Sequence, residues 1–136
     1  MIITFVHHSC FVVETKERTM VFDYFKDGKV NGYHFTGVLP KFDKDKPLYV
    51  FASHAHQDHF DLEILRWAED CPNIRYILSK DIRLSDRYLD RNGIAASVKD
   101  KVTFVQPLKT VEIDEMKIRT LRYTDAGVEF LIGAEG

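Results

Sequence analysis

The chain has 136 residues, enough for one compact domain with its own core, and a hydrophobic share of 45% excludes a disordered chain. A formal net charge of -2 leaves no basic footprint for nucleic acid. Two cysteines, Cys10 and Cys71, are too few for a disulfide framework and lack the spacing of a zinc ribbon. The opening MIITFVHHSC has no basic region and is soon interrupted by polar residues, unlike a signal peptide. No apolar stretch approaches the roughly eighteen residues of a membrane span. The expectation is a cytoplasmic protein with a small-molecule substrate, no nucleic-acid partner and no membrane partner.

In chain order, Ile2 to Val6 and Phe11 to Glu14 are short runs rich in β-branched and aromatic residues, and each predicts a strand. Arg18 to Tyr24 follows the charged turn Thr15-Lys16-Glu17, so the second and third strands form a hairpin. Between Tyr24 and Pro47 lies a long segment holding Gly28, Gly32, Gly37, Pro40 and Pro47, read as a loop without structure of its own. Loops of that length are uncommon in a compact domain unless they act as binding loops or lids. Phe25, Tyr33, His34 and Phe35 either line a pocket or pin this loop to the surface, and the second reading is preferred. Leu48 to Ala52 is a continuous apolar run, as in a strand covered on both faces.

Leu62, Ile64, Leu65, Trp67 and Ala68 predict an amphipathic helix with Asp61 as its N-cap, stopped by Pro72 and Asn73. Ile74 to Leu78 returns as a strand. Ser79 is read as the cap of a second helix running to about Asn92 and ended by Gly93. The rest is strand: Val102 to Val105, Thr110 to Ile113, Lys117 to Tyr123 and Val128 to Ile132, with a tight turn at Asp114-Glu115. Strands, then strand-helix-strand-helix, then strands make an α+β arrangement.

The chemistry sits directly after the apolar strand, in Ser53-His54-Ala55-His56-Gln57-Asp58-His59-Phe60-Asp61. Three of the six histidines fall within six residues. Positions two apart in an extended segment project to one side, so His54 and His56 can grip one metal together. Beyond the strand end the chain turns, and Asp58 and His59 can aim at a second metal nearby. Imidazole nitrogens and a carboxylate oxygen are the donors zinc prefers, with manganese or iron also tolerated. Two zinc ions are expected in a complete site. A metal with an open position brings the pKa of bound water down to about 7, so an activated water is available at neutral pH. Asp58 is the expected catalytic residue, as a ligand that also orients this water. A lone histidine in a sheet is more often a satisfied core residue, but four ligand-type side chains at this spacing favour the metal site.

The segment FASHAHQDHFD resembles the His-x-His-x-Asp-His motif of the metallo-β-lactamase superfamily. Further likeness is to the branch similar to L-ascorbate-6-phosphate lactonase. His8-Ser9-Cys10-Phe11-Val12-Val13 resembles that branch's second strand, Val21-Phe22-Asp23 its apolar strand ending in Asp, and Thr124-Asp125-Ala126-Gly127-Val128 a late segment before a strand. The resemblance runs from about residue 5 to the end. It implies an αβ/βα sandwich with a dinuclear site at the sheet edge. It also implies that residues 1–136 are a single domain forming roughly the first half of that fold. Two departures stand out. No histidine follows His59 to complete the first metal site, where Arg122-Tyr123-Thr124-Asp125 stands instead, and the chain stops at Gly136 before the Gly-Asp and the further histidine of the family.

Other candidates carry paired readings. His8 either lies near the metals or hydrogen-bonds within the sheet, and the second is preferred; His7 faces away and is structural. Asp23 either orients a metal-ligating histidine or is a plain turn residue, and Asp125 is either a substitute ligand or a turn residue. His34 is read as an exposed loop residue. Ser9 and Cys10 have no base arranged for nucleophilic attack. The leading function is a metal-dependent hydrolase acting on a phosphorylated sugar lactone or a small phosphoester, with thioester hydrolysis and ribonuclease activity as weaker options. The rival is a non-catalytic metal-binding or interaction module built from half of the fold. A half-fold would also bare one sheet face, lined by Phe5, Val13, Phe22 and Val50 or their alternating neighbours, and pair through it as a homo-oligomer.

Overall fold

The computed structural model describes residues 1–26, 39–122 and 127–133, with the backbone alone at 29–30 and 33–34. The β-branched and aromatic runs form the strands they predict: β1 (Ile2–His7), β2 (Cys10–Glu14), β3 (Thr19–Phe22), β6 (Leu48–Ala52), β7 (Ile74–Ser79) and β8 (Val102–Val105). They make one six-stranded sheet in the order β1-β2-β3-β6-β7-β8. The first pairings are antiparallel hairpins, and β3, β6, β7 and β8 then run parallel. Every residue of β6 is buried, as its unbroken apolar sequence requires. β9 (Thr110–Ile113), β10 (Met116–Arg122) and β11 (Val128–Gly133) form a separate three-stranded antiparallel sheet.

Alternation along each strand divides the core into two layers. Val12, Val21, Val50, Tyr76 and Leu78 project to the face covered by Ile64, Leu65, Leu89 and Val98 from the helical segments. Met20, Tyr49, Phe51 and Ile77 project to the other face, where Met116, Ile118 and Val128 of the small sheet pack on them. Phe51 stacks on Phe22 at 4.7 Å between centroids and meets Phe130 edge-on at 5.1 Å. The result is a mixed-sheet α+β architecture.

The second face is therefore only partly bare. Phe5, edge-on to Phe11 at 5.2 Å, is 55% exposed, and Ile3 is exposed beside it. Val13 and Phe22 are half covered by the small sheet. Val50 belongs to the opposite, helix-covered layer, which corrects its place in the expected bare face.

The helical segments differ most from expectation. Leu62–Glu69 is a 3-10 helix, with Asp61 as the expected N-cap accepting from the Glu63 amide. The second helix does not start at Ser79. That residue ends β7, pairs with Val105 and is fully buried. Ile82 and Leu84, two apart, are both buried, a spacing an extended segment satisfies and a helix does not. The α-helix α1 covers only Asp86–Arg91, capped by Ser85, and Gly93 ends it in the left-handed region at φ 71°. A further 3-10 helix, Ala96–Lys101, has no side-chain cap, which is why no sequence signal marked it. Within the long loop, β4 (Lys29–Val30) and β5 (Tyr33–His34) form a two-stranded ladder, so that segment is not wholly without regular structure. The side chains of Tyr33, His34 and Phe35 lie outside the described residues.

Candidate metal centre

The parallel strands deliver their C-terminal ends to one edge of the large sheet, and the candidate residues gather there. Asp23 (φ 51°) stands just past the end of β3, and its amide continues the ladder to the Phe51 carbonyl at 2.9 Å. Ser53 and His54 directly follow β6. The turn between β1 and β2 brings in His8, also left-handed at φ 47°. Two non-glycine residues in this sparsely populated region, both at the same edge, mark a locally strained site.

Past β6 the chain folds back on itself. The His59 and Phe60 amides both donate to the His56 carbonyl at 2.9 Å, which turns Asp58 and His59 inward. The Asp81 carboxylate accepts from the Ala55 amide at 3.0 Å and anchors the outer side of this turn. On the other flank, Asp61 accepts from the Lys26 amide at 2.7 Å, tying the segment after β3 to the helix start.

Asp23 is the hub. Its Oδ1 accepts from the Ser53 amide at 2.7 Å, and its Oδ2 accepts from the Ser53 hydroxyl at 2.6 Å and from His59 Nδ1 at 2.9 Å. A carboxylate only accepts, so His59 carries its proton on Nδ1. The Ser53 hydroxyl has one hydrogen and gives it to Asp23. It therefore accepts from His54 Nδ1, 2.6 Å away. Both rings are thereby set in the tautomer whose Nε2 is unprotonated. On the other side, Asp58 Oδ2 lies 3.0 Å from His8 Nε2 and 3.6 Å from His59 Nε2.

Two donor groups result, His8 with Asp58 and His59, and Asp23 with His54 and His59, each with ligand atoms within 4.8 Å of one another. The His54 and His59 rings are 4.5 Å apart. His56 projects to the same side as His54, its ring nearly parallel at 6.0 Å, but it is exposed and belongs to neither group. Of the four signature residues, the structure thus brings His54, Asp58 and His59 together and leaves His56 at the rim. His8 is at the site, against the preferred reading, because the β1–β2 turn hangs over the same sheet edge as Asp58. Asp23 contacts His59 directly and is more than a turn residue. His7 is buried 4.5 Å from the Phe25 ring, as expected of a structural residue. Asp125 lies outside the described residues.

Charge and burial act on the rings in opposite senses. Burial lowers the pKa of His54, and the neighbouring His59 pushes the same way while Asp23 opposes. For His59, the hydrogen bond to Asp23 raises the pKa against the effect of burial. Gly127 presses on the buried His54: a Cβ there would lie 2.1 Å from the ring's Cδ2. The Val128 amide also donates to the Ser53 carbonyl at 2.9 Å, so β11 backs the site. A cavity of about 290 Å³ opens beside it, lined by Asp23, His54 and His59 on one wall and Phe22, Val128 and Phe130 on another, with Glu129. Sequence reasoning missed Ser53, Asp81, Gly127 and Glu129. Ser53 stood next to the motif and Gly127 within the late segment Thr124-Asp125-Ala126-Gly127-Val128, so a signal could have been sought at both.

The family model described as "Beta-lactamase superfamily domain" matches residues 2–129. The chain belongs to this superfamily. Among solved structures it is similar to CmlA, a diiron beta-hydroxylase from Streptomyces venezuelae, with a TM-score of 0.59 and 16% identity over 98% of this chain and 27% of that one. A variant of the same CmlA beta-hydroxylase aligns at TM-score 0.59 and 17% identity, over 96% of this chain and 28% of that one. A protein of unknown function from Enterococcus faecalis aligns at TM-score 0.53 and 14% identity, over 97% of this chain and 40% of that one. These likenesses concern the fold, and the chain spans well under half the length of each. No curated protein sequence matches it. Among the described residues, no helix is long and apolar enough to cross a membrane.

Proposed function

We propose that this chain carries the metal site of a metal-dependent hydrolase, with His54, Asp58 and His59 as ligands, His56 at its rim, and a phosphorylated sugar lactone or small phosphoester as substrate. The observation that carries the reading is the Asp23–Ser53 network, which protonates Nδ1 of both His54 and His59 and so presents Nε2 of each as a ligand atom. Such buried orientation of imidazoles by a carboxylate is what metal-ligating histidines need. The donor set of imidazole and carboxylate fits zinc, and fits iron or manganese as well.

A bound metal would supply Lewis acidity, polarising a substrate oxygen and acidifying water to a pKa near 7. The chain's own residues do the rest. Asp58, held through Oδ2 by His8, is a half-exposed carboxylate able to orient a water and accept its proton. His8, donating through Nε2, positions Asp58. The Phe22–Val128–Phe130 wall excludes water from one side of the cavity, and its volume of about 290 Å³ suits a small substrate.

The diiron beta-hydroxylase neighbours support a second reading, an iron-dependent oxygenase. Both are tested by metal analysis of the purified protein followed by a panel of lactones and phosphoesters, with and without Asp58→Ala. Zinc content with hydrolysis abolished in Asp58→Ala supports the first reading. Iron content with oxygen consumption supports the second. Metal without turnover of any kind returns the non-catalytic module.

A further inference from the structure

A larger cavity, of about 900 Å³, lies at the opposite end of the parallel strands, between the foot of the large sheet and the β9–β10 turn. At roughly 3.3 Å per residue, the five residues of β6 separate it from the histidine edge by about 16 Å. Arg18, Tyr49 and Arg75 line it from the large sheet, and Asp114 lines it from the turn.

The polar groups here are unevenly satisfied. The Tyr49 hydroxyl donates to Asp114 Oδ2 at 2.8 Å, and Arg75 Nε approaches the same oxygen at 3.7 Å. Lys101 Nζ donates to the Pro72 carbonyl at 3.1 Å. Arg18 is different: it is only 8% exposed, yet its guanidinium makes no hydrogen bond or ion pair with any described residue. None of its nitrogens is wholly shut off from solvent, so the five donors of this permanently charged group open into the cavity that Arg18 lines. Its fork geometry matches a carboxylate or a phosphate.

We propose that this cavity binds a small ligand through an oxyanion, carboxylate or phosphate, gripped by the Arg18 guanidinium, with Arg75 and Lys101 flanking it. The three cations are balanced by three acids in the lining, Glu17, Asp100 and Asp114, so the ligand is of low net charge and carries donor groups as well as its oxyanion. The site is independent of the histidine edge and of the hydrolase reading.

Titration calorimetry on the full chain at constant ionic strength tests this, with acetate and inorganic phosphate as probes and chloride as the reference anion. At least one probe should bind saturably, at least tenfold more weakly in Arg18→Gln, more weakly also in Arg75→Gln, and equally well in His54→Ala. Preference for acetate identifies a carboxylate ligand and preference for phosphate a phosphorylated one. Absence of saturable binding to the wild-type chain, or unchanged affinity in Arg18→Gln, overturns the proposal. Should Arg18→Gln fail to fold by near-ultraviolet circular dichroism, Arg18→Lys keeps the charge without the fork. Unchanged affinity in both Arg18→Lys and Arg75→Gln is then equally fatal.

Discussion

Replacing Asp23 by Asn changes one atom at the hub of the histidine site and should invert both ring tautomers. Asn tolerates the left-handed backbone at φ 51° at least as well as Asp, so the backbone is not the target. Its Oδ1 can still accept from the Ser53 amide. Its Nδ2, however, is a donor placed where Oδ2 accepted from the Ser53 hydroxyl and from His59 Nδ1. The hydroxyl hydrogen must then turn toward His54, and both histidines must accept at Nδ1 and carry their protons on Nε2. Loss of such an orienting carboxylate typically costs 10- to 100-fold in metal affinity. That corresponds to about 1.4–2.7 kcal/mol. Competition for zinc against a chelating dye measures it directly, with circular dichroism as the check on folding. The metal-free chain gives a second readout. The His59 pKa is raised by Asp23, so the pair's contribution to stability is full below the ordinary histidine pKa of about 6.5 and is lost as the pH rises through the raised value. The stability gap between wild type and Asp23→Asn should therefore be largest near pH 5 and narrow above neutrality. Zinc affinity within twofold of wild type, with a pH-independent gap, would refute the tautomer argument.

Three other perturbations probe other links. Gly127→Ala should displace the His54 ring, since Cδ2 and Nε2 lie 2.1 and 2.6 Å from the added Cβ; overpacking of this kind costs about 1–3 kcal/mol in thermal or urea unfolding. Glu115→Gly should raise stability by about 1 kcal/mol, because Glu115 sits at φ 71° in the two-residue turn between Ile113 and Met116. Cys10 is fully buried, and burial together with the Asp23 charge pushes its thiol up to about 12. A thiol reagent at pH 8 should therefore label only the half-buried Cys71 in the native chain and both cysteines in urea.

The strands were legible because their signal is local: β-branched and aromatic runs, ended by polar turns, alternate with the pleat. Asp114-Glu115 was legible for the same reason, as a two-residue gap between alternating segments. The helices were less so, because a cap residue is ambiguous by itself. Ser79 and Ser85 offer the same hydroxyl, and what decides between them is that Ser79 is drawn into the ladder opposite Val105, which only the tertiary pairing reveals. In the site, the motif located His54, Asp58 and His59 by sequence proximity. His8 and Asp23 are 50 and 36 residues from the groups they contact, Asp58 and His59, and only the strand order β1-β2-β3-β6 brings them to one edge. The placement of His56 went the other way. Alternation gave its side correctly, but the turn after Ala55 carries it outward to an exposed position.

The central claim is that the edge formed by Asp23, Ser53, His54, Asp58 and His59 is built to hold metal. Titration of the chelator-treated chain with zinc, iron(II) and manganese(II), read by metal analysis after gel filtration, tests it most directly. The account predicts that at least one of these metals is retained stoichiometrically by the wild-type chain and that retention falls sharply in both His54→Ala and His59→Ala. A folded wild-type chain that retains none of the three metals, or variants that retain as much as wild type, would contradict it.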